Sequence, residues 1–209
     1  MKTKVGTILM VLGAALVFGA LALFLCNQTE AADAERASAD LMPQLREEIE
    51  LQQEGADETV DYIPGTPLEL MDPSALEMTE VEIDGYHYIG YLSIPALGLE
   101  LPVMADWDYT RLKIAPCRYA GTDIGNDLVI MGHNYARHFG RTEDLVVGDR
   151  ITFTNMDGVT TEYEMVARDI LAPTAVEEMT AGEYDLTLFT CTYGGGSRET
   201  VYFDRVENE

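Results

Sequence analysis

Three side chains of different chemistry close short runs in the second half of the sequence. Cys191 follows Leu186-Thr187-Leu188-Phe189-Thr190, and His133 follows Leu128-Val129-Ile130-Met131-Gly132. Arg198 comes seven residues after Cys191, beyond a Gly194-Gly195-Gly196 turn that would fold the next strand back onto the same rim. Together these types could perform covalent acyl transfer. A cysteine thiolate attacks a carbonyl. An imidazole protonates the departing amine. A fixed guanidinium holds substrate or stabilises an oxyanion. Residue type and spacing alone are weak signals here, since a lone strand cysteine usually belongs to a core and a lone histidine to a structural contact. A disulfide between Cys191 and Cys117 is the specific alternative, open to a domain outside the cytoplasm.

The elements that must position these residues are short and β-rich. Strands are expected over Tyr88–Ile94, Glu100–Met104, Asp127–Met131, Arg150–Thr154, Thr161–Ile170, Leu186–Phe189 and Thr200–Phe203, with Cys117 near a further strand start. Turn residues separate them, for example Gly125-Asn126 and Met156-Asp157-Gly158. This spacing predicts a mainly β antiparallel barrel or sandwich. Two short helices are expected to interrupt it. One covers Asp106–Ile114. The other covers Ala175–Ala181, with Thr174 as N-cap and Glu177 and Glu178 in its first turn.

The sequence before this domain has a different texture. Lys2 and Lys4 precede an uncharged apolar run from Val5 to Cys26, long enough to cross a ~30 Å hydrocarbon layer as one helix. Lysines before the run and acids after it place the N-terminus in the cytoplasm and the remainder outside. A cleaved signal peptide, with Ala32-Asp33-Ala34 as the processing site, is the competing reading. The run is longer than a signal-peptide core. The expected division is a cytoplasmic tail (1–4), a single-pass transmembrane anchor (5–26), an acidic stalk and linker (27–84) and a catalytic domain (85–209). Within the stalk, Leu41–Gln53 could form a helix with Leu41, Leu45, Ile49 and Gln52 along one stripe. Pro43 would suit only its first turn. Asp72-Pro73 could begin a flap over the site.

The net charge is −24, from 37 acids against 13 bases. Nucleic acid is therefore excluded as a partner. Residues 27–84 hold 17 of the acids and two of the bases, so the stalk carries most of the excess. Repulsion from an anionic envelope would hold the domain away from it. Among these acids Glu82, Asp84, Glu177 and Glu178 raise calcium as a cofactor, but acids so widely spread come together by chance and no metal is expected. His138 reads as a solvent-facing loop residue and His87 as a strand surface residue.

Several segments resemble one family. Thr187-Leu188-Phe189-Thr190-Cys191 followed by Arg198 looks like the TLxTC…R signature of sortases. Asp127–Tyr135 (DLVIMGHNY) resembles that family's strand-to-histidine segment. Ile89–Met104 resembles its opening hairpin, and Gly148–Phe153 its GD-x-I strand start. The resemblance implies a sortase-like closed β-barrel of about eight strands with short helices, behind one transmembrane helix. It implies a membrane-anchored cysteine transpeptidase that cleaves a C-terminal LPxTG-like sorting signal. The thioacyl chain passes to an amine on a cell-wall precursor or a pilin lysine. Carried onto this sequence, Cys191 is the nucleophile, His133 the general acid and then base, and Arg198 the substrate and oxyanion holder. Thr190 and Asn134 are secondary substrate-site candidates. In that family only the fraction holding thiolate and imidazolium together is active, which makes turnover pH-dependent through both groups. The histidine followed by Asn, and a sequence with no second apolar helix, favour cell-wall anchoring over pilin polymerisation. An L,D-transpeptidase would need an SxGC-x-R cysteine context with an H-x-G near it, and no cysteine here has that context. A non-enzymatic acidic surface module is the other alternative.

Overall fold

The structure is a computed structural model that describes residues 2–55 and 77–207. Helix α1 (Lys2–Gly55) is followed by strands β1 (Val81–Ile83), β2 (Tyr86–Ile94), β3 (Leu99–Met104), β4 (Cys117–Ala120) and β5 (Leu128–Met131). Then come β6 (Arg150–Asn155), β7 (Thr160–Leu171), the short helix α2 (Val176–Met179), β8 (Leu186–Cys191) and β9 (Arg198–Arg205). The strand order is β1-β2-β3-β4-β5-β8-β9-β7-β6, and β6 pairs back onto β2. Eight strands thus close a barrel, and β1 extends β2 outside the closure. This is the expected sortase-like barrel; β1 was not resolved in the sequence as a separate run, and of β4 only its start near Cys117 was expected. β1 has three residues and β4 four, too short for a two-residue alternation to register.

Closure buries one face of each strand inside the barrel. Leu186, Leu188, Ile130, Ile151, Phe153, Val201 and Phe203 fill the barrel interior. A second apolar layer lies outside it, where Leu41, Leu45 and Ile49 of α1 meet Val81, Tyr88, Met104, Cys117, Val129, Met131 and Phe189. β8 therefore reads as nearly continuous burial, because α1 and neighbouring elements cover what would otherwise be a solvent face.

The expected stalk differs most from the outcome. Its first 29 residues continue the apolar helix without a break, and Leu41, Leu45 and Ile49 pack on the barrel while Gln52 stays exposed. Pro43 sits inside the helix and not in its first turn. An interior proline costs ~3 kcal/mol. Burial of a side chain such as Leu45, fully enclosed here, returns about 1.5–3 kcal/mol. Leu41, Met42 and Ile49 add to it, so packing overrides the break. The linker prolines and the Asp72-Pro73 flap lie outside the described residues. Of the expected short helices, the first is only one 3₁₀ turn at Arg111–Lys113. α2 is capped by Ala175 with no side-chain hydrogen bond, so Thr174 is not the N-cap. Its carbonyl instead accepts the Val176 N–H at 2.9 Å.

Candidate active site

Adjacent strand ends bring the three chemical residues together. β5 and β8 run parallel with Met131 level with Phe189, and the Gly132 N–H donates to the Phe189 carbonyl at 3.0 Å. His133 and Cys191 each come two residues later on these neighbours. β8 and β9 are antiparallel, and Cys191 lies directly opposite Arg198. Opposed residues share a face, with Cβ atoms ~5 Å apart. The expected hairpin is therefore present, and all three residues emerge at one barrel rim.

The turn between Cys191 and Arg198 is tied by its own side chains. Thr192 Oγ1 lies 2.9 Å from Ser197 Oγ, the Ser197 N–H donates to Thr192 Oγ1 at 3.2 Å, and the Thr192 N–H donates to the Ser197 carbonyl at 3.1 Å. Gly194 and Gly195 have φ of 83° and 72°, a region glycine enters without a Cβ clash. Arg198 Nη1 donates to the Ser197 carbonyl at 3.2 Å, which steadies the guanidinium over the turn. The roles of Thr192 and Ser197 were missed in the sequence, where two small hydroxyl residues flanking a glycine run carry no distinct signal.

His133 is held by a loop that folds back into the barrel. Phe139 is fully buried in the interior cluster, and its N–H donates to the His133 carbonyl at 3.1 Å. A Cβ on Gly132 would come within 2.4 Å of the Phe139 ring, so only glycine fits before the histidine. Asn134 Oδ1 lies 3.0 Å from His133 Nδ1. Since a carbonyl oxygen only accepts, Nδ1 carries the proton and Nε2 is left for proton exchange. Burial lowers the His133 pKa below the usual histidine value, and the Asn134 contact offsets this in part.

Tyr135 was not foreseen. Its ring stacks on His133, with centroids 4.0 Å apart and planes 7° from parallel. Its hydroxyl donates to Glu30 Oε2 at 3.0 Å. Burial, then the Glu30 carboxylate, push the Tyr135 pKa up to about 12. Correspondingly, the Tyr135 hydroxyl and then Lys113 hold Glu30 below the ordinary carboxylate range. This contact joins residues 105 positions apart, and no local pattern announces it.

The remaining sequence candidates fall as follows. Thr190 is buried and alternates to the face opposite Cys191, opposed to Glu199, so its backbone and not its hydroxyl is available on the cysteine side. Asn134 sits beside His133 as described. His138 is a correction: it is fully buried, not solvent-facing, because the loop that sinks Phe139 carries its neighbour inward. Burial, with the nearby His133 charge adding, pushes the His138 pKa down to about 4. His87 is exposed on β2, near Glu80 and Glu82. Among the described residues no group of three or more His, Cys, Asp or Glu is placed to hold a metal ion. All three cysteines are free, so Cys191 has no disulfide to Cys117. Cys117 is buried and burial raises its thiol pKa to about 12, which makes it a poor nucleophile. Cys191 is partly accessible.

The chain matches the sortase domain over residues 92–206, more than half its length. No curated protein shows a significant sequence match. Among solved structures, sortase C1 of Streptococcus suis is similar at 29% identity and a TM-score of 0.52, over 58% of this chain and 74% of that one. Sortase C1 of Streptococcus agalactiae is similar at 27% identity and a TM-score of 0.54, over 61% and 72%. Sortase A of Corynebacterium diphtheriae shares the fold at 21% identity and a TM-score of 0.54, over 90% and 96%. With a closed eight-stranded barrel and a domain match across it, the chain belongs to the sortase family.

Proposed function

We propose that this sortase is a cysteine transpeptidase that cleaves an LPxTG-like sorting signal and transfers the protein to an amine of a cell-wall precursor or a pilin. The observation that carries this is the register placing Cys191 opposite Arg198, one strand from His133. The Cys191 thiolate attacks the threonine carbonyl carbon, and the carbonyl electrons move onto oxygen beside Arg198. Collapse breaks the Thr–Gly C–N bond while His133 Nε2–H gives its proton to the departing glycine amine. The acyl chain is then a thioester on Cys191. The acceptor amine attacks it, His133 takes the amine proton, and the thiolate leaves. Asn134 fixes the His133 tautomer that leaves Nε2 on this path. The Thr190 backbone lies beside the nucleophile and serves as a substrate contact.

The apolar run anchors the domain in the cell membrane with the N-terminus cytoplasmic and the barrel outside. No step requires a metal, and calcium is not proposed as a cofactor.

The test is incubation of the protein with an LPxTG-like peptide and a free amine. Parent protein forms the amide product and Cys191→Ala forms none. Equal product from both would exclude Cys191 as nucleophile.

A further inference from the structure

We infer that Tyr135, held by Glu30 of α1, is a positioning residue of the acyl transfer: its ring is the plate that fixes the plane of the His133 imidazole while that imidazole gives and takes the proton. This rests on the proposed transpeptidase reading.

Asn134 Oδ1, 3.0 Å from Nδ1, holds one corner of the His133 ring. One such contact leaves the ring able to turn about its Cβ–Cγ bond, because χ2 of histidine is a broad torsion. Turning swings Nε2 out of line with the sulfur and the departing amine. A misplacement of ~1 Å at a reacting group can cost ~10²-fold in rate. The stack supplies the second constraint. The Tyr135 ring lies 4.0 Å from the His133 ring and 7° from parallel, so a turn of the imidazole drives its edge into the phenol face.

The plate is itself fixed. Tyr135 is 2% exposed. Its carbonyl accepts the N–H groups of His138 and Gly140, both at 2.9 Å. A Cβ on Gly140 would come within 2.4 Å of the Asn134 carbonyl oxygen, so the loop closes tightly on itself there. The buried His138 ring packs beside Tyr135, with centroids 5.6 Å apart. The Tyr135 hydroxyl donates to Glu30 Oε2 at 3.0 Å, and Lys113 Nζ lies 3.4 Å from Glu30 Oε1. Glu35 pairs with Arg137 at 3.1 Å, and Ser38 Oγ donates to the Ile114 carbonyl at 3.4 Å, which fastens the same stretch of α1 to the barrel. A contact spanning 105 residues thus ends on the ring that stacks against the general acid.

The arrangement also favours the charged imidazole. An aromatic face attracts a cation lying over it within ~6 Å. A phenol whose hydroxyl donates to a carboxylate is the more electron-rich partner. The charged or titratable groups around His133 are Glu30 on α1, Lys113 in the 3₁₀ turn, His138 in its own loop, and Cys191 and Arg198 on the neighbouring strands. Burial lowers the His133 pKa; Asn134 and then Glu30 raise it, and Lys113 lowers it. Tyr135 exchanges no proton, since burial and Glu30 push its pKa up to about 12.

The test uses the full-length protein in detergent micelles, with isotope-labelled histidine for NMR and an LPxTG-like peptide plus a free amine for kinetics. The chain has three histidines, and the His133 signals are those lost in His133→Asn. In the parent, the His133 ring protons carry the upfield shift of protons over an aromatic face. Tyr135→Leu removes that shift and lowers kcat by ~10²-fold with KM little changed. Tyr135→Phe keeps the ring, the shift and most of kcat. Glu30→Gln keeps an acceptor for the hydroxyl but removes the charge, and the His133 ring protons then titrate at lower pH. Four results overturn the role: Tyr135→Leu with the parent's kcat, an effect confined to KM, Tyr135→Phe as slow as Tyr135→Leu, or a Glu30→Gln titration that overlays the parent's. Should Tyr135→Leu not fold, a parent without the upfield shift, or the same overlaid titration, overturns it. Shift and titration do not depend on turnover, so a parent that transfers no peptide would sink the transpeptidase reading alone.

Discussion

At the scale of single residues, the site depends on how its neighbours bias His133. Burial lowers its pKa, and the Asn134 carbonyl partly restores it. Asn134→Ala should lower it further. Where imidazolium is the active form, the alkaline limb of kcat/KM then moves to lower pH and turnover at neutral pH falls. A pH profile of the two proteins checks this, and an unmoved limb would show that Asn134 does not tune the histidine. His138 makes a separate prediction about stability. Its folded pKa of about 4 lies below the ordinary histidine value of 6.5, so the unfolded chain binds the extra proton between these values. The stability from keeping it neutral is fully present above pH ~6.5 and is lost as pH falls toward 4. The loss is on the order of 3 kcal/mol. Urea unfolding across that range should show it, and His138→Phe should flatten the slope. That Cys191, Arg198 and His133 would meet at one rim could be expected from the sequence, because Cys191 and His133 end regular runs and Arg198 follows a glycine turn, while their proposed roles came from the family resemblance. The burial of His138 could not be expected, since it follows from Phe139 seating in the barrel.

At the scale of elements, the histidine loop and the docked helix are the parts most open to test. Gly132→Ala places a Cβ 2.4 Å from the Phe139 ring. Overpacking of this kind costs ~1–3 kcal/mol and shifts the backbone that carries His133. A fall in kcat with a small drop in Tm is expected, and unchanged kinetics would mean the loop adapts freely. For α1, apolar burial outweighs the charge pairs. Lys113 and Arg137 pair with Glu30 and Glu35 at half-exposed positions, where solvent screening leaves such pairs little weight. Leu45 is fully enclosed, and Leu45→Ala costs ~2–5 kcal/mol. Thermal unfolding should separate the two changes clearly. The stripe Leu41, Leu45 and Ile49 was visible in the sequence, but its extent was not. Pro43 was expected in a first turn near Leu41, and only the barrel surface that Leu41, Leu45 and Ile49 pack against shows why the helix runs through it.

At the scale of the molecule, charge and anchor act together. The −24 net charge weighs against nucleic acid as a partner but says nothing of the chemistry. The succession of an apolar run, an acidic segment and a β-rich domain could be read from composition shifts. That the acidic segment binds the catalytic rim could not, because Glu30–Tyr135 is a long-range contact between ordinary residues. No step proposed here uses a metal, so chelation with EDTA should leave the transfer rate unchanged, and calcium-dependent recovery would contradict that. The central claim, acyl transfer through Cys191, is tested most directly by intact mass after mixing with an LPxTG-like peptide without amine. The predicted result is a mass gain equal to the peptide up to threonine, mapped to Cys191 and released by hydroxylamine. Cleavage between Thr and Gly with no adduct, or an adduct on another residue, would contradict it.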